Sequence, residues 1–168
     1  QALALQPDLT TARNHLGRLY RAQGRLDEAI QTFHDLVTRH PEVAEAHHNL
    51  AVAYAHKGRR EEALAQFTEA IRLQPDLYAA RLDMATLLLE MQRPQAALDV
   101  LQVLLNSLDQ ATLGRMHIDP AEVHHRLGLA YLQTRQYAQA WQHARKAEAL
   151  GAPVAALMAA LRQVAPAF

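Results

Sequence analysis

The sequence contains no cysteine, and only 5% of its 168 residues are aromatic. Without thiols the chain has no disulfides, thiolate metal sites or cysteine nucleophile, although this does not distinguish cytosol from periplasm. An excess of charge is also missing, because 17 basic residues balance 17 acidic ones. Nothing in the composition therefore indicates nucleic acid, an anionic membrane or a strongly charged substrate as a partner. No apolar run approaches the roughly 18 residues of a membrane-spanning helix.

Catalytic and metal-binding motifs are missing as well. The sequence shows no glycine-rich phosphate loop, nucleophile elbow or metal-ligand spacing. Ten histidines raise the question of a metal site, and four of them form the adjacent pairs His47-His48 and His124-His125. Neighbouring residues on a helix point about 100° apart, so neither pair chelates one ion. We therefore predict no enzyme activity, no metal and no cofactor.

What the sequence does contain is a pattern of apolar and small residues with a period of 34. In residues 44–77 it comprises Leu50, Ala51, Tyr54, Gly58, Ala63, Phe67, Ala70 and Pro75. One period earlier the matching residues are Leu16, Gly17, Tyr20, Gly24, Ala29, Phe33 and Pro41. One period later they are Met84, Ala85, Leu88, Ala97, Leu101 and Leu104. This pattern resembles the tetratricopeptide repeat, with His47 in place of the usual tryptophan.

The resemblance implies an all-α fold, a right-handed superhelical solenoid of antiparallel helix pairs. The predicted units are 1–9, the tail of a preceding repeat; 10–43, 44–77 and 78–111, repeats 1 to 3; 112–120, an inserted loop; 121–154, repeat 4; and 155–168, a capping helix and tail. Because the chain opens with Gln1 and the tail of a repeat, we expect it to be a piece of a longer protein.

Glycine and proline mark the predicted turns and ends. Gly24 and Gly58 follow the first helix of repeats 1 and 2, where a left-handed residue ends the helix. Gln92 stands at this position in repeat 3, so either it adopts the left-handed conformation or the turn changes. Trp141 falls at an apolar position of repeat 4, which predicts that it lies in the core.

In the resembled family, the first helix of each unit lines a concave groove that binds a peptide or helix of a protein partner. The candidate groove residues are Asn14, His15, Arg18, Arg21, His48, Asn49, Val52, Leu82, Asp83, Leu89, Arg126 and Leu129. The amide of Asn49 can both donate to and accept from a peptide backbone. The alternatives for it are an exposed polar residue or an interhelical hydrogen bond.

Two further predictions concern the kind of contact. A clamp for a terminal carboxylate, known in one subclass of the family, is excluded because Asp83 puts a negative charge where that clamp needs a positive one. The inserted loop supplies a second candidate contact surface, formed by Arg115, Met116 and His117.

We therefore predict a non-catalytic scaffold or adaptor for a protein or peptide partner, with no nucleic acid and no membrane span in this chain. Two alternatives stay open. The chain is the substrate-recognition arm of a larger enzyme, such as a protein glycosyltransferase. Or it is a building block of a homo-oligomer or of a bacterial envelope, export or assembly machine. The cytoplasm is the favoured compartment. The periplasm stays an alternative, because we expect the chain to be a piece of a longer protein whose targeting signal would lie outside it.

Overall fold

The computed structural model describes the backbone of residues 2–107 and 119–166, and the side chains of residues 9–106 and 119–166. Over these residues the regular structure is entirely helical. The helices are α1 (Ala2–Ala22), α2 (Leu26–Arg39), α3 (Ala44–His56), α4 (Arg60–Leu73), α5 (Tyr78–Glu90), α6 (Pro94–Ser107), α7 (Pro120–Gln133), α8 (Tyr137–Ala149) and α9 (Ala155–Val164). They belong to two compact units, Gln1–Ala80 and Arg81–Phe168, and the boundary between these falls in α5.

The first unit is built from two consecutive helix pairs. Helix α1 packs against α2, α3 packs against α4, and α2 and α3 join the two pairs. Phe33 and Phe67 occupy equivalent positions on the second helix of each pair, and both are almost fully buried. The apolar residues recur at three- and four-residue steps, so each helix presents one apolar face to its neighbours.

The second unit has an aliphatic core and a helix at its C-terminal end. Helix α7 packs against α8 and α6, and α9 packs against α8 and α7. Leu157 and Leu161 of α9 are buried against the face of α8 that carries Trp141. The Trp141 Nε1–H donates to the carbonyl oxygen of Ala165 at 3.0 Å, so the indole anchors the end of α9. The core position predicted for Trp141 is confirmed, since its side chain is 8% exposed.

All four first helices end in the same turn. The backbone N–H of Arg25, Arg59, Arg93 and Gln136 donates to the carbonyl oxygen five residues earlier, at 2.8–2.9 Å. The residue before each donor has a positive φ: Gly24 at 76°, Gly58 at 79°, Gln92 at 57° and Arg135 at 60°. The turns predicted at the two glycines are confirmed. Gln92 adopts the left-handed conformation, so the turn keeps its shape without glycine.

The structure differs from the sequence prediction at two prolines, Pro7 and Pro120. Residues 1–9 do not end a separate helix at Pro7, because α1 runs through this proline without a break. Pro7 lies in the second turn of α1, and its missing N–H cannot donate to the carbonyl oxygen of Leu3. Pro120, predicted to close the inserted loop, is instead the first residue of α7, after the N-cap Asp119.

The remaining part of the predicted loop, including Arg115, Met116 and His117, lies outside the described residues. Within the described part of the chain, no helix combines the length and apolar character needed to cross a membrane.

Candidate partner-binding site

In the first unit, two of the predicted groove residues bind each other. The Asn49 Nδ2–H donates to Asn14 Oδ1 at 2.8 Å, and Asn14 Nδ2 lies 3.5 Å from Glu45 Oε2. Asn49 is 9% exposed, so its amide is largely withdrawn from solvent. The observed contact is the interhelical hydrogen bond that the sequence left open as an alternative to a ligand contact.

The other candidates of the first unit differ in exposure. His15 and Arg18 are exposed on α1, whereas Arg21, His48 and Val52 are half-buried. The centroid of the His48 ring lies 5.9 Å from that of the Phe67 ring, so the imidazole packs against this aromatic ring. His15 and Arg18 are therefore the exposed members of the predicted groove set in this unit.

In the second unit, three predicted groove residues line one open pocket of about 380 Å³. Helix α5, the turn after it and helix α7 form its wall. The described lining residues are Thr86, Leu89, Glu90, Gln92, Arg126, Leu129 and Gln133. Leu82 and Asp83 lie farther towards the start of α5 and are not among them. We call this site the α5–α7 pocket.

Arg126 is held in the wall of the α5–α7 pocket by two partners. Its Nη2 lies 2.5 Å from Glu122 Oε1, one turn earlier on α7. Its Nε–H donates to Thr86 Oγ1 at 2.9 Å, and the Thr86 hydroxyl in turn donates to the carbonyl oxygen of Leu82. The guanidinium therefore links α7 to α5, and Glu122 balances its charge.

Family models of the tetratricopeptide repeat match residues 1–38, 14–78 and 54–117. The chain belongs to the tetratricopeptide repeat family. This confirms the resemblance read from the 34-residue period. Members of the family are generally non-catalytic scaffolds, and membership supports a role in protein interaction. No curated protein matches the chain.

Solved structures share the repeat fold. Pseudomonas aeruginosa PilF aligns with 25% identity and a TM-score of 0.79, over 94% of this chain and 69% of PilF. PilW, described as a widely conserved type IV pilus biogenesis factor, aligns with 16% identity and a TM-score of 0.79, over 94% and 70%. MamA from Desulfovibrio magneticus RS-1 aligns with 20% identity and a TM-score of 0.71, over 84% and 75%. These similarities confirm the all-α repeat fold.

Histidine replaces the family's usual tryptophan in repeats 2 and 4, and the two copies have different partners. His47 is buried, with Nε2 3.0 Å from the carbonyl oxygen of Pro41 and Nδ1 2.7 Å from Gln66 Oε1. His124 occupies the same position in repeat 4, and its Nδ1 lies 2.9 Å from Nδ1 of His143. His47 therefore takes the place of the tryptophan as a buried imidazole, and His124 does so as a half-buried one.

The contact between His124 and His143 was not predicted from the sequence. Burial, followed by the nearby His124 and Lys146, lowers the pKa of His143 to about 4. Burial also lowers the pKa of His124, with Lys146 as a smaller cause. One signal was available, because His124 and His143 are 19 residues apart, as are His47 and Gln66. The described residues contain no cluster of three or more histidine, aspartate or glutamate side chains suited to a metal ion.

Proposed function

We propose that the chain is a non-catalytic scaffold and that a peptide or helix of a protein partner inserts an apolar side chain into the α5–α7 pocket. The observation that carries this proposal is the pocket itself, where Leu89 and Leu129 adjoin polar side chains. Its volume is at the lower end of the roughly 300–1,000 Å³ of small-ligand clefts. Such a volume suits one or two side chains of a partner.

The first unit supports the partner site in a different way. Because Asn49 and Asn14 bind each other, we assign them to holding α3 against α1. His15 and Arg18, which are exposed, remain the residues of this unit that we propose as additional contacts. The groove residues to test first are therefore those of the second unit.

The test uses a peptide selected for binding to the whole chain from a phage-displayed random library. The labelled peptide is titrated with the wild-type chain and with Leu129→Asp, and binding is measured by fluorescence anisotropy. Burial of one leucine-sized side chain stabilises a complex by roughly 1.5–3 kcal/mol. We therefore expect Leu129→Asp to weaken binding by at least about tenfold.

Leu150→Asp is the matched control, because Leu150 belongs to the same unit, is 53% exposed and does not line the pocket. It should bind the peptide as the wild type does. Circular dichroism must show native helix content for both variants. Unchanged binding by Leu129→Asp, together with loss of binding by Arg18→Ala, contradicts the proposed pocket and moves the site to the first unit.

Self-association is a second candidate, and the exposed leucines of α1 favour it. Leu9, Leu16 and Leu19 are 56%, 41% and 53% exposed, and they lie within three turns of one helix. Such an apolar face is suited to packing against another helix. Sedimentation velocity over a range of concentrations tests this candidate, with Leu16→Glu/Leu19→Glu expected to abolish any dimer. A wild-type chain that stays monomeric throughout contradicts it.

A further inference from the structure

Among the described lining residues of the α5–α7 pocket, one charge is already balanced and one is not. Arg126 is paired with Glu122 at 2.5 Å and also donates to Thr86. Glu90 is exposed at the end of α5 and makes no hydrogen bond or ion pair with any residue that the structure describes. The remaining polar lining residues, Thr86, Gln92 and Gln133, are uncharged. Within the described part of the chain, the pocket thus offers a ligand the unpaired carboxylate of Glu90, whereas its guanidinium is already paired.

We infer that the segment bound in the α5–α7 pocket carries a lysine or arginine next to its apolar anchor, and that this cation pairs with Glu90. The inference rests on the proposed function and adds the charge of the partner to it. The apolar anchor contacts Leu89 and Leu129, and the neighbouring cation lies at the rim. The occupant is therefore a basic amphipathic segment of a protein.

An acidic segment fits the same pocket less well. To pair with Arg126, an incoming carboxylate has to compete with Glu122 and with the hydrogen bond to Thr86. The incoming carboxylate is also repelled by the like charge of Glu90 at the rim, and this repulsion disfavours binding of an acidic segment. A cation reaches Glu90 without breaking any described contact. Because Glu90 is exposed, solvent screens the pair, and we expect a preference of about threefold rather than a large one.

The experiment uses three probes that share an acetylated leucine and carry a cationic, neutral or anionic second residue: the N-acetyl dipeptide amides Leu-Arg, Leu-Gln and Leu-Glu. Each is titrated into the isotope-labelled whole chain, and amide chemical shifts are followed by NMR. Probes of this size bind with dissociation constants in about the millimolar range. We expect shifts at Leu89, Glu90 and Leu129, and about threefold tighter binding of Leu-Arg than of Leu-Gln. Leu-Glu should bind most weakly.

Two variants separate the charge of Glu90 from general effects. Glu90→Gln should make the affinities for Leu-Arg and Leu-Gln equal while leaving the affinity for Leu-Gln unchanged. Glu148→Gln, an exposed glutamate of α8 outside the described lining, should keep the preference. Equal binding of Leu-Arg and Leu-Gln at the pocket of the wild type overturns the inference and leaves the proposed pocket intact. If none of the probes shifts the pocket amides, both the inference and the proposed pocket are overturned.

Discussion

The two units close their helix–turn–helix connections with the same backbone and different side chains. In the first unit the left-handed residue is Gly24 or Gly58, and in the second unit it is Gln92 or Arg135. The hydrogen bond across the turn is nevertheless the same in all four, within 2.8–2.9 Å. The comparison teaches that packing of the helix pair imposes the turn, and that glycine only lowers its cost.

The first unit also reinforces its turns with side chains. Arg25 stacks over Tyr20 and binds Glu28, and Arg59 repeats both contacts with Tyr54 and Glu62 one period later. In repeat 4 of the second unit, Gln136 stands at the arginine position and accepts a long hydrogen bond from Gln139, at 3.4 Å. These ion pairs are exposed, so we expect each to contribute little to stability.

The largest expected effect contrasts the two glycines inside first helices, Gly17 and Gly128. A Cβ at Gly17 would lie 2.6 Å from the rigid ring of Phe33, whereas one at Gly128 would lie 2.8 Å from the movable end of Leu157. We expect Gly17→Ala to lower the free energy of unfolding by about 1–3 kcal/mol. Gly128→Ala should stay within about 1 kcal/mol of the wild type, because gained helix propensity offsets the contact.

Urea unfolding followed by circular dichroism measures both glycine variants. Ala51→Gly is the control, because Ala51 holds the same position as Gly17 one period later. It should lose about 1 kcal/mol of helix propensity and the packing of one buried methyl group, about 0.8 kcal/mol. Equal losses in Gly17→Ala and Gly128→Ala would show that the aromatic ring yields as easily as the leucine.

The next effect concerns the hydrogen bond between Asn49 and Asn14 in the first unit. We expect Asn49→Ala to destabilise the chain by about 1–2 kcal/mol, since it removes a largely buried hydrogen bond. A double-mutant cycle with Asn14→Ala should recover a coupling energy of about 1 kcal/mol. Additive effects of the two substitutions would mean that the pair does not interact in solution.

A smaller effect is expected from exchanging the turn residues between units. Gly58→Gln should destabilise the chain by about 1 kcal/mol, because a side chain is disfavoured at positive φ. Arg135→Gly should stabilise it by about 0.5–1 kcal/mol, since the released strain exceeds the extra entropy of unfolded glycine. Thermal unfolding measures both changes. A loss of stability in Arg135→Gly contradicts the view that packing alone imposes the turn.

The smallest expected change in stability at neutral pH comes from His143→Gln. This substitution would pair His124 with a glutamine, as His47 is paired with Gln66 in repeat 2. His143 has a pKa of about 4 in the folded chain, against 6.5 as its ordinary value. Between these values the unfolded chain binds more protons, so stability falls as the pH is lowered through this window and levels off below it. We expect His143→Gln to reduce this acid-induced loss, measured as the melting temperature between pH 7 and pH 4.

The control for acid sensitivity is His34→Gln, at an exposed position on α2. It should leave the dependence of the melting temperature on pH as in the wild type. If His143→Gln follows the wild-type curve as well, the histidine pair is not the source of the acid sensitivity.

Much of the fold follows from the sequence because each repeat packs through local contacts. The 34-residue period places Phe33, Phe67 and Leu101 at equivalent buried positions, and the glycines mark the turns. The helix through Pro7 was not predictable in this way, because the LQPDL sequence at residues 5–9 recurs at residues 73–77, where it ends α4. Whether this proline ends a helix depends on how many turns precede it.

The candidate site was only partly predictable from the sequence. Leu89, Arg126 and Leu129 were expected on first helices, but their meeting in one pocket depends on how α5 and α7 pack across a long connection. The pairing of Arg126 with Glu122 follows from their spacing of one helical turn, whereas its bond to Thr86 spans 40 residues. Side-chain partners so far apart in sequence require the structure.

Trp141 is the only tryptophan in the 168 residues, and its indole N–H binds the backbone at the end of α9. The intrinsic fluorescence of the chain at tryptophan wavelengths therefore reports the docking of this last helix. The circular dichroism signal, in contrast, averages over all helices. Recorded together during unfolding, the two signals reveal whether the C-terminal end detaches before the rest of the array loses its helices.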